Sequence, residues 1–232
     1  MAKHRLFLAA PPGSDRPAFR ARMLGEVGPA LLAAVPALEA LSVDVVDATP
    51  EVPPWQRPGE PVAPAEPDCD AVVDLWGAPE TLARALAVLD EATHGAPRAS
   101  IRVSESVEKD ALPRPAGQAA GVKFLSLMSF HEDLPAPVAQ RLWAHHAGLA
   151  LRVHVGMARY VRDWVEATDA HTLPVPRFHG IAELHFPSVE AMTTRWFDSE
   201  AGRAAIVHDV GHFLARATRL YSTEHVLKAR PG

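Results

Sequence analysis

The chain reads as an α+β protein in which two tandem β-α-β-β-α-β units close into one intrachain, pseudo-dimeric α/β barrel. Three observations predict this. Strand-like and helix-like periods follow each other in the order β-α-β-β-α-β in each half of the 232 residues. The halves also align without a gap over their first helix and second strand, which lays His145 on Glu26, Tyr160 on Leu41, Asp163 on Asp44 and Ala167-Thr168 on Ala48-Thr49. Finally, a four-stranded sheet with both helices on one face leaves an apolar face that needs cover, and a second such sheet supplies it.

The elements follow in order. Arg5 to Ala10 is a short apolar run closed by Pro11-Pro12-Gly13, a strand ending in a turn. Phe19, Met23, Val27, Leu31 and Ala34 then recur at helical steps from Pro17 to Val35, with Pro29 set to kink the helix. Leu41 to Asp47 is β-branched and alternating, hence a strand. Residues 50–67 carry seven prolines and read as a stiff surface loop. Ala71 to Trp76 is a strand, Thr81 to Thr93 a helix stopped by Gly95, and Ser100 to Val107 the fourth strand of this half. Pro113 to Gly121 connects the halves, so the units span residues 1–115 and 121–228.

In the second unit, Val122 to Phe130 is a strand and Pro137 to His154 an amphipathic helix. Arg159 to Val165 is the next strand, Thr168 to Phe178 a loop, and Ile181 to Phe186 another strand. A long helical region from Ser188 to Ala217 and a last strand, Leu220 to Leu227, complete the pattern.

Composition narrows the function. Apolar and charged fractions of 48% and 22% are those of an ordinary globular protein. A net charge of −5 with no basic run excludes an electrostatic footprint for nucleic acid or a membrane surface. The apolar start is cut short at Pro11, too early for a secretory signal. The single cysteine, Cys69, rules out an intrachain disulfide or thiolate metal cluster, and a reducing, cytoplasmic setting is expected. There is neither a Gly-rich phosphate loop nor a Gly-x-Ser-x-Gly elbow, so neither a nucleotide cofactor nor a serine nucleophile is expected.

Chemistry concentrates in the second unit. His145 and His146 stand about 100° apart on their helix, each beside an apolar stripe. A half-buried imidazole titrates near neutrality and suits a general acid or base. Glu183 and His185 share one face of a strand, where a carboxylate could orient the ring; equally, the pair could point into the barrel opposite Asp74 and Trp76. His208 and His212 have the spacing of zinc ligands on a helix. Asp209 stands where Glu would be expected and no further ligand is evident, so no metal site is expected, and a simple polar helix face or substrate-pocket contacts are the plainer roles. Trp143, Tyr160, Trp164 and Trp196 are candidates to line an aromatic pocket.

Trp143-x-His145-His146-x-Gly-Leu-Ala, Arg159-Tyr160, the run from Gly180 through Glu183 to Glu190, and Asp209 with Phe213 together resemble the EthD family of the dimeric α/β-barrel, ferredoxin-like superfamily. The resemblance covers about residues 121–228. The first unit has Glu26 and Val27 in place of the histidines and is expected to be scaffold. The resemblance implies a pocket between helices and sheet, with His145, His146, Tyr160, Glu183, His185 and Asp209 as catalytic candidates and Trp143, Trp164, Trp196 and His212 as substrate contacts. It further implies a cofactor-independent enzyme of lyase, cyclase or isomerase type, acting by histidine acid–base chemistry on a small aromatic or polyketide-like carbonyl compound. The alternatives are a haem-binding or cofactor-free monooxygenase and a non-catalytic small-molecule binder. The chain is expected to work as a monomer or homodimer.

Overall fold

A computed structural model describes residues 2–48 and 68–230; the Pro-rich stretch 50–67 lies outside the described residues. The first half forms β1 (Ala2–Leu8), α1 (Arg16–Arg22), α2 (Gly28–Ala34), β2 (Ala40–Val45), β3 (Ala71–Gly77), α3 (Pro79–Ala92) and β4 (Arg98–Asp110). A two-residue β5 (Gly117–Gln118) follows in the connector. The second half forms β6 (Val122–Phe130), α4 (Ala136–Val153), β7 (Arg159–His171), β8 (Gly180–Phe186), α5 (Val189–Thr194), α6 (Glu200–Val210) and β9 (Leu214–Lys228).

The strands lie in the order β2-β3-β1-β4-β7-β8-β6-β9, and β9 pairs back onto β2, so eight antiparallel strands close a barrel. Closure removes the free edges that an open sheet would expose. The registers of the two halves correspond: Leu41 faces Leu75 as Tyr160 faces Leu184, and Ser42 faces Asp74 as Val161 faces Glu183.

Several boundaries differ from the periodicity. The first helix is continuous but contains a π-helical turn, Met23–Val27, in which the Gly28 N–H reaches back to the Met23 carbonyl. That extra residue per turn lets Pro29, which has no N–H to give, begin α2 instead of breaking the helix. β4 and β7 run longer than expected because each supplies the other's hydrogen bonds across the seam between halves, from Ala99–His171 to Asp110–Arg159. The region 188–217 is not one helix. Ser188 and Ser199 each cap a short helix with their hydroxyls, and β9 starts at Leu214 because β6 is there to pair with it. No helix among the described residues is long and apolar enough to cross a membrane.

Side-chain alternation then sorts the residues into three cores. Outside the first half-sheet, Met23, Val27 and Leu31 pack with Leu82, Ala85 and Leu89 on Leu6, Leu8, Leu41 and Leu75. Outside the second, Trp143, Ala147 and Ala150 of α4 pack with Trp196, Ile206 and Phe213 on Phe124, Met128, Ala182 and Leu184. Inside the barrel one part is apolar, with Phe7, Val72, Ile101, Leu125, Leu127, Ile181 and Leu220 plugged by Leu173, Val175 and Phe178. The rest of the interior is ionic.

Gly121 is the tightest backbone approach in the connection to β6. It has φ +86°, and a Cβ there would sit 1.9 Å from the Phe186 carbonyl oxygen. Gly121→Ala is expected to destabilise the fold by roughly 1–3 kcal/mol from the left-handed backbone alone, with the clash adding to it. A thermal melt checks this; an unchanged midpoint would contradict the packing of β6 on β8.

Candidate active site

The candidate site lies outside the barrel wall, between the second half-sheet and α4 and α6. α4 buries Ala139, Trp143, His146, Ala147, Ala150 and Val153, a stripe at helical spacing, and that stripe selects between the adjacent imidazoles. His146 lies on it and is buried; His145, about 100° around the helix, is exposed. α6 is started by the Ser199 cap and anchored by Ile206, and at its far end it brings Asp209 to His146. The Asp209 Oδ2 lies 2.7 Å from His146 Nδ1. A carboxylate accepts, so the ring's proton sits on Nδ1 and Nε2 carries the lone pair. Burial lowers the His146 pKa and the Asp209 hydrogen bond and charge oppose that shift, leaving the ring neutral near pH 7.

His154 follows the last turn of α4. Its Nδ1 lies 2.6 Å from the Trp196 carbonyl oxygen, and burial pushes its pKa down to about 4. The Trp196 ring stacks on Phe186 with centroids 4.9 Å apart and meets Phe124 edge-on at 5.0 Å. These groups border a half-open cavity of about 160 Å³, walled by Phe124, Ser126 and Met128 of β6, Tyr160 of β7, Ala182 and Leu184 of β8, Trp143 and His146 above, and Arg219 of β9. Tyr160 is buried, and burial raises its pKa well above the ordinary value. It therefore stays a hydroxyl and can donate. Burial lowers the Arg219 pKa, with Tyr221 opposing, yet a guanidinium remains charged.

Of the residues expected in the site, Trp143, His146, Tyr160, Trp196 and Asp209 are thus brought together. The others go elsewhere. His145 and His212 are exposed, and the His212 ring sits 4.8 Å from His208 on the surface. Trp164 stacks on Phe130 with centroids 5.3 Å apart, away from the cavity wall.

Glu183 and His185 point into the barrel, because strand parity places them opposite Ala182, Leu184 and Phe186, which face the helices. There Glu183 accepts from Arg5 at 2.8 Å and Arg159 at 2.9 Å, with Lys123 Nζ at 3.7 Å. His185 is held neutral, its pKa lowered to about 4 by burial. It donates from Nε2 to the Ala120 carbonyl at 3.1 Å, so the ring's proton is on Nε2. Both are parts of a buried ionic network with Lys3, Arg5, Asp44, Asp74, Asp163 and Glu224. Neither reaches the cavity.

His154, Ser126 and Arg219 were not legible as site residues. The ring of His154 gains its role from the carbonyl of Trp196, 42 positions away, and no local pattern marks that contact. In the first half the position matching His146 is Val27, which is buried in hydrocarbon, so that half has no counterpart of the Asp–His pair. Among the described residues no three metal-ligating side chains converge.

Residues 132–217 match the family model of the EthD domain. No curated protein matches the chain. Among solved structures, an anthrone oxidase-like protein superposes over 100% of this chain and 94% of its own, with TM-score 0.58 and 13% identity. A proposed monooxygenase from Lactobacillus acidophilus NCFM covers 99% of this chain and 96% of its own, with TM-score 0.52 and 5% identity. A mutant chlorite dismutase from Candidatus Nitrospira defluvii covers 97% and 92%, with TM-score 0.53 and 8% identity. At these identities the likeness is one of fold, the dimeric α/β barrel.

Proposed function

We propose, from an EthD domain that holds a half-buried Asp–His pair against a ring-sized cavity, that this chain is an enzyme whose general base is His146. The observation that carries the reading is the 2.7 Å contact between Asp209 and His146 Nδ1. It leaves Nε2 as a neutral acceptor at the wall of an otherwise largely apolar cavity of aromatic and aliphatic side chains. The substrate class that suits this site is a small aromatic or polyketide-like carbonyl compound. His146 Nε2 takes a proton from the carbon next to the carbonyl; the C–H electron pair becomes a C=C bond, the C=O π pair moves onto oxygen, and an enolate forms. Tyr160 and Ser126 supply hydroxyl donors for that oxyanion, and Arg219 adds positive charge. Return of the proton at another atom gives an isomerase, and collapse with bond formation or loss gives a cyclase or lyase. The anthrone oxidase-like neighbour is compatible with an aromatic substrate.

The size of the cavity favours this reading over haem. A cavity near 150 Å³ takes up one benzene ring, and about 160 Å³ is available here. We also infer that the two halves, 1–115 and 121–228, arose by duplication and act as a pseudo-dimer, with only the second keeping a site; the matched strand registers support this.

The test is solvent-deuterium exchange, followed by NMR, into a panel of small aryl ketones and cyclic diketones. Wild type and His145→Ala are expected to catalyse exchange equally, whereas His146→Gln loses on the order of 10²- to 10⁴-fold. Exchange that survives unchanged in His146→Gln rejects the assignment.

A further inference from the structure

We infer that the cavity recognises an aromatic ring bearing two hydroxyl groups at opposite ends, one donating to His146 and the other to His154, so that His154 is a specificity-determining residue. This rests on the proton-transfer reading above and names its substrate class. The argument is one of tautomers. The Trp196 carbonyl, 2.6 Å from His154 Nδ1, can only accept. The proton is therefore on Nδ1, and Nε2 presents a lone pair. The Asp209 carboxylate does the same to His146. Both rings line one cavity, and neither Nε2 has a hydrogen-bond partner among the described residues.

Two neutral acceptors in one small, largely apolar cavity call for two donors on the ligand. A carbonyl or ether oxygen would face each lone pair with another, whereas a phenolic O–H satisfies it. The volume, about 160 Å³, accommodates a ligand body of roughly one ring. His146 lies on α4 and His154 caps its end eight positions on, roughly two helical turns away, and the two hydroxyls are placed across the ring and not side by side. A phenol is also the enol form of a cyclic ketone, so the same compound class meets the carbon acid chemistry of His146.

The probes are hydroquinone, its monomethyl ether and its dimethyl ether, titrated anaerobically into the full chain by calorimetry. Each methylation is expected to weaken binding about tenfold, since it replaces a hydrogen bond with an unfilled imidazole lone pair. In His154→Phe, which keeps an aromatic ring in place, hydroquinone and its monomethyl ether bind alike while the loss on the second methylation persists. Equal affinity of the wild type for all three overturns the proposal, as does an intact first step in His154→Phe. Nitrogen-15 NMR of the wild type tests it without mutation. The His154 Nε2 resonance should move with hydroquinone and stay in place with the dimethyl ether; a resonance unmoved by hydroquinone refutes the contact. These are equilibrium readouts. If His146→Gln keeps full exchange activity while the methyl-ether series behaves as expected, the catalytic reading fails and the recognition stands.

Discussion

Glu183→Gln lowers the thermal midpoint by roughly 6–20 °C while leaving turnover per folded molecule intact. The carboxylate is fully inside the barrel, holding Arg5 at 2.8 Å and Arg159 at 2.9 Å, with Lys123 nearby. Burial works against its charge, but Lys123, Arg159 and Arg5 together keep its pKa well below the usual carboxylate range. The amide has the same shape with no charge, and its NH₂ turns a donor toward a cation. Breaking a buried ion pair from one side costs about 3–5 kcal/mol, and a chain of this size loses roughly 2–4 °C per kcal/mol. The penalty also has a pH signature. Burial, with Glu224, Asp74 and Glu183 adding to it against the pull of Lys123, raises Asp44 to about 7. A carboxyl raised in the fold contributes stability below its unfolded value of 3.8 and loses it as pH climbs through 7. Without Glu183, Asp44 ionises more easily, so the gap between variant and wild type narrows from pH 5 to 8. A variant that melts within a degree of wild type, or one that is stable but inactive, would return Glu183 to the catalytic list.

Asp209→Asn, by contrast, is expected to spare the fold and cost activity. The side chain of Asp209 is 28% exposed, so its loss is a modest stability change. Its effect on His146 is larger. The asparagine amide can offer its NH₂ to Nδ1, which moves the ring's proton to Nε2 and leaves no base facing the cavity. Even with the amide oxygen turned inward, the anion that stabilises the imidazolium is gone. The exchange rate should fall on the order of 10²- to 10⁴-fold. Because Asp209 is the group that raises the His146 pKa against burial, the acid limb of the pH–rate profile should move to lower pH. A full rate with an unmoved acid limb would mean that Asp209 only decorates the helix end.

These two carboxylates show where a linear reading runs out. Strand parity already placed Glu183 and His185 on one face, but the same alternation serves a strand whose polar row faces a pocket and one whose polar row faces a barrel lumen. Only closure through β2–β9 and β4–β7 makes the lumen exist, and then Arg5, Lys123 and Arg159 are waiting in it. His145 and His146 pose the same difficulty on a helix. Each neighbours an apolar stripe, since Leu142 and Leu149 flank one and Trp143 and Ala150 the other. The rotation of α4 on β6 and β8 decides the matter, burying Trp143 and Ala150 and carrying His146 inward.

Local period and composition by themselves determined the doubled β-α-β-β-α-β order, the gathering of imidazoles in residues 121–228 and the resemblance to the EthD domain, because these depend on near-neighbour spacing alone. The tertiary structure alone decided which imidazole meets Asp209 and that His154 meets the Trp196 carbonyl. It also decided that Glu183 serves the barrel. Those partnerships join groups 63, 42 and 178 positions apart. They follow from how a helix is rotated on a sheet and how the sheet closes, and no local periodicity carries that information.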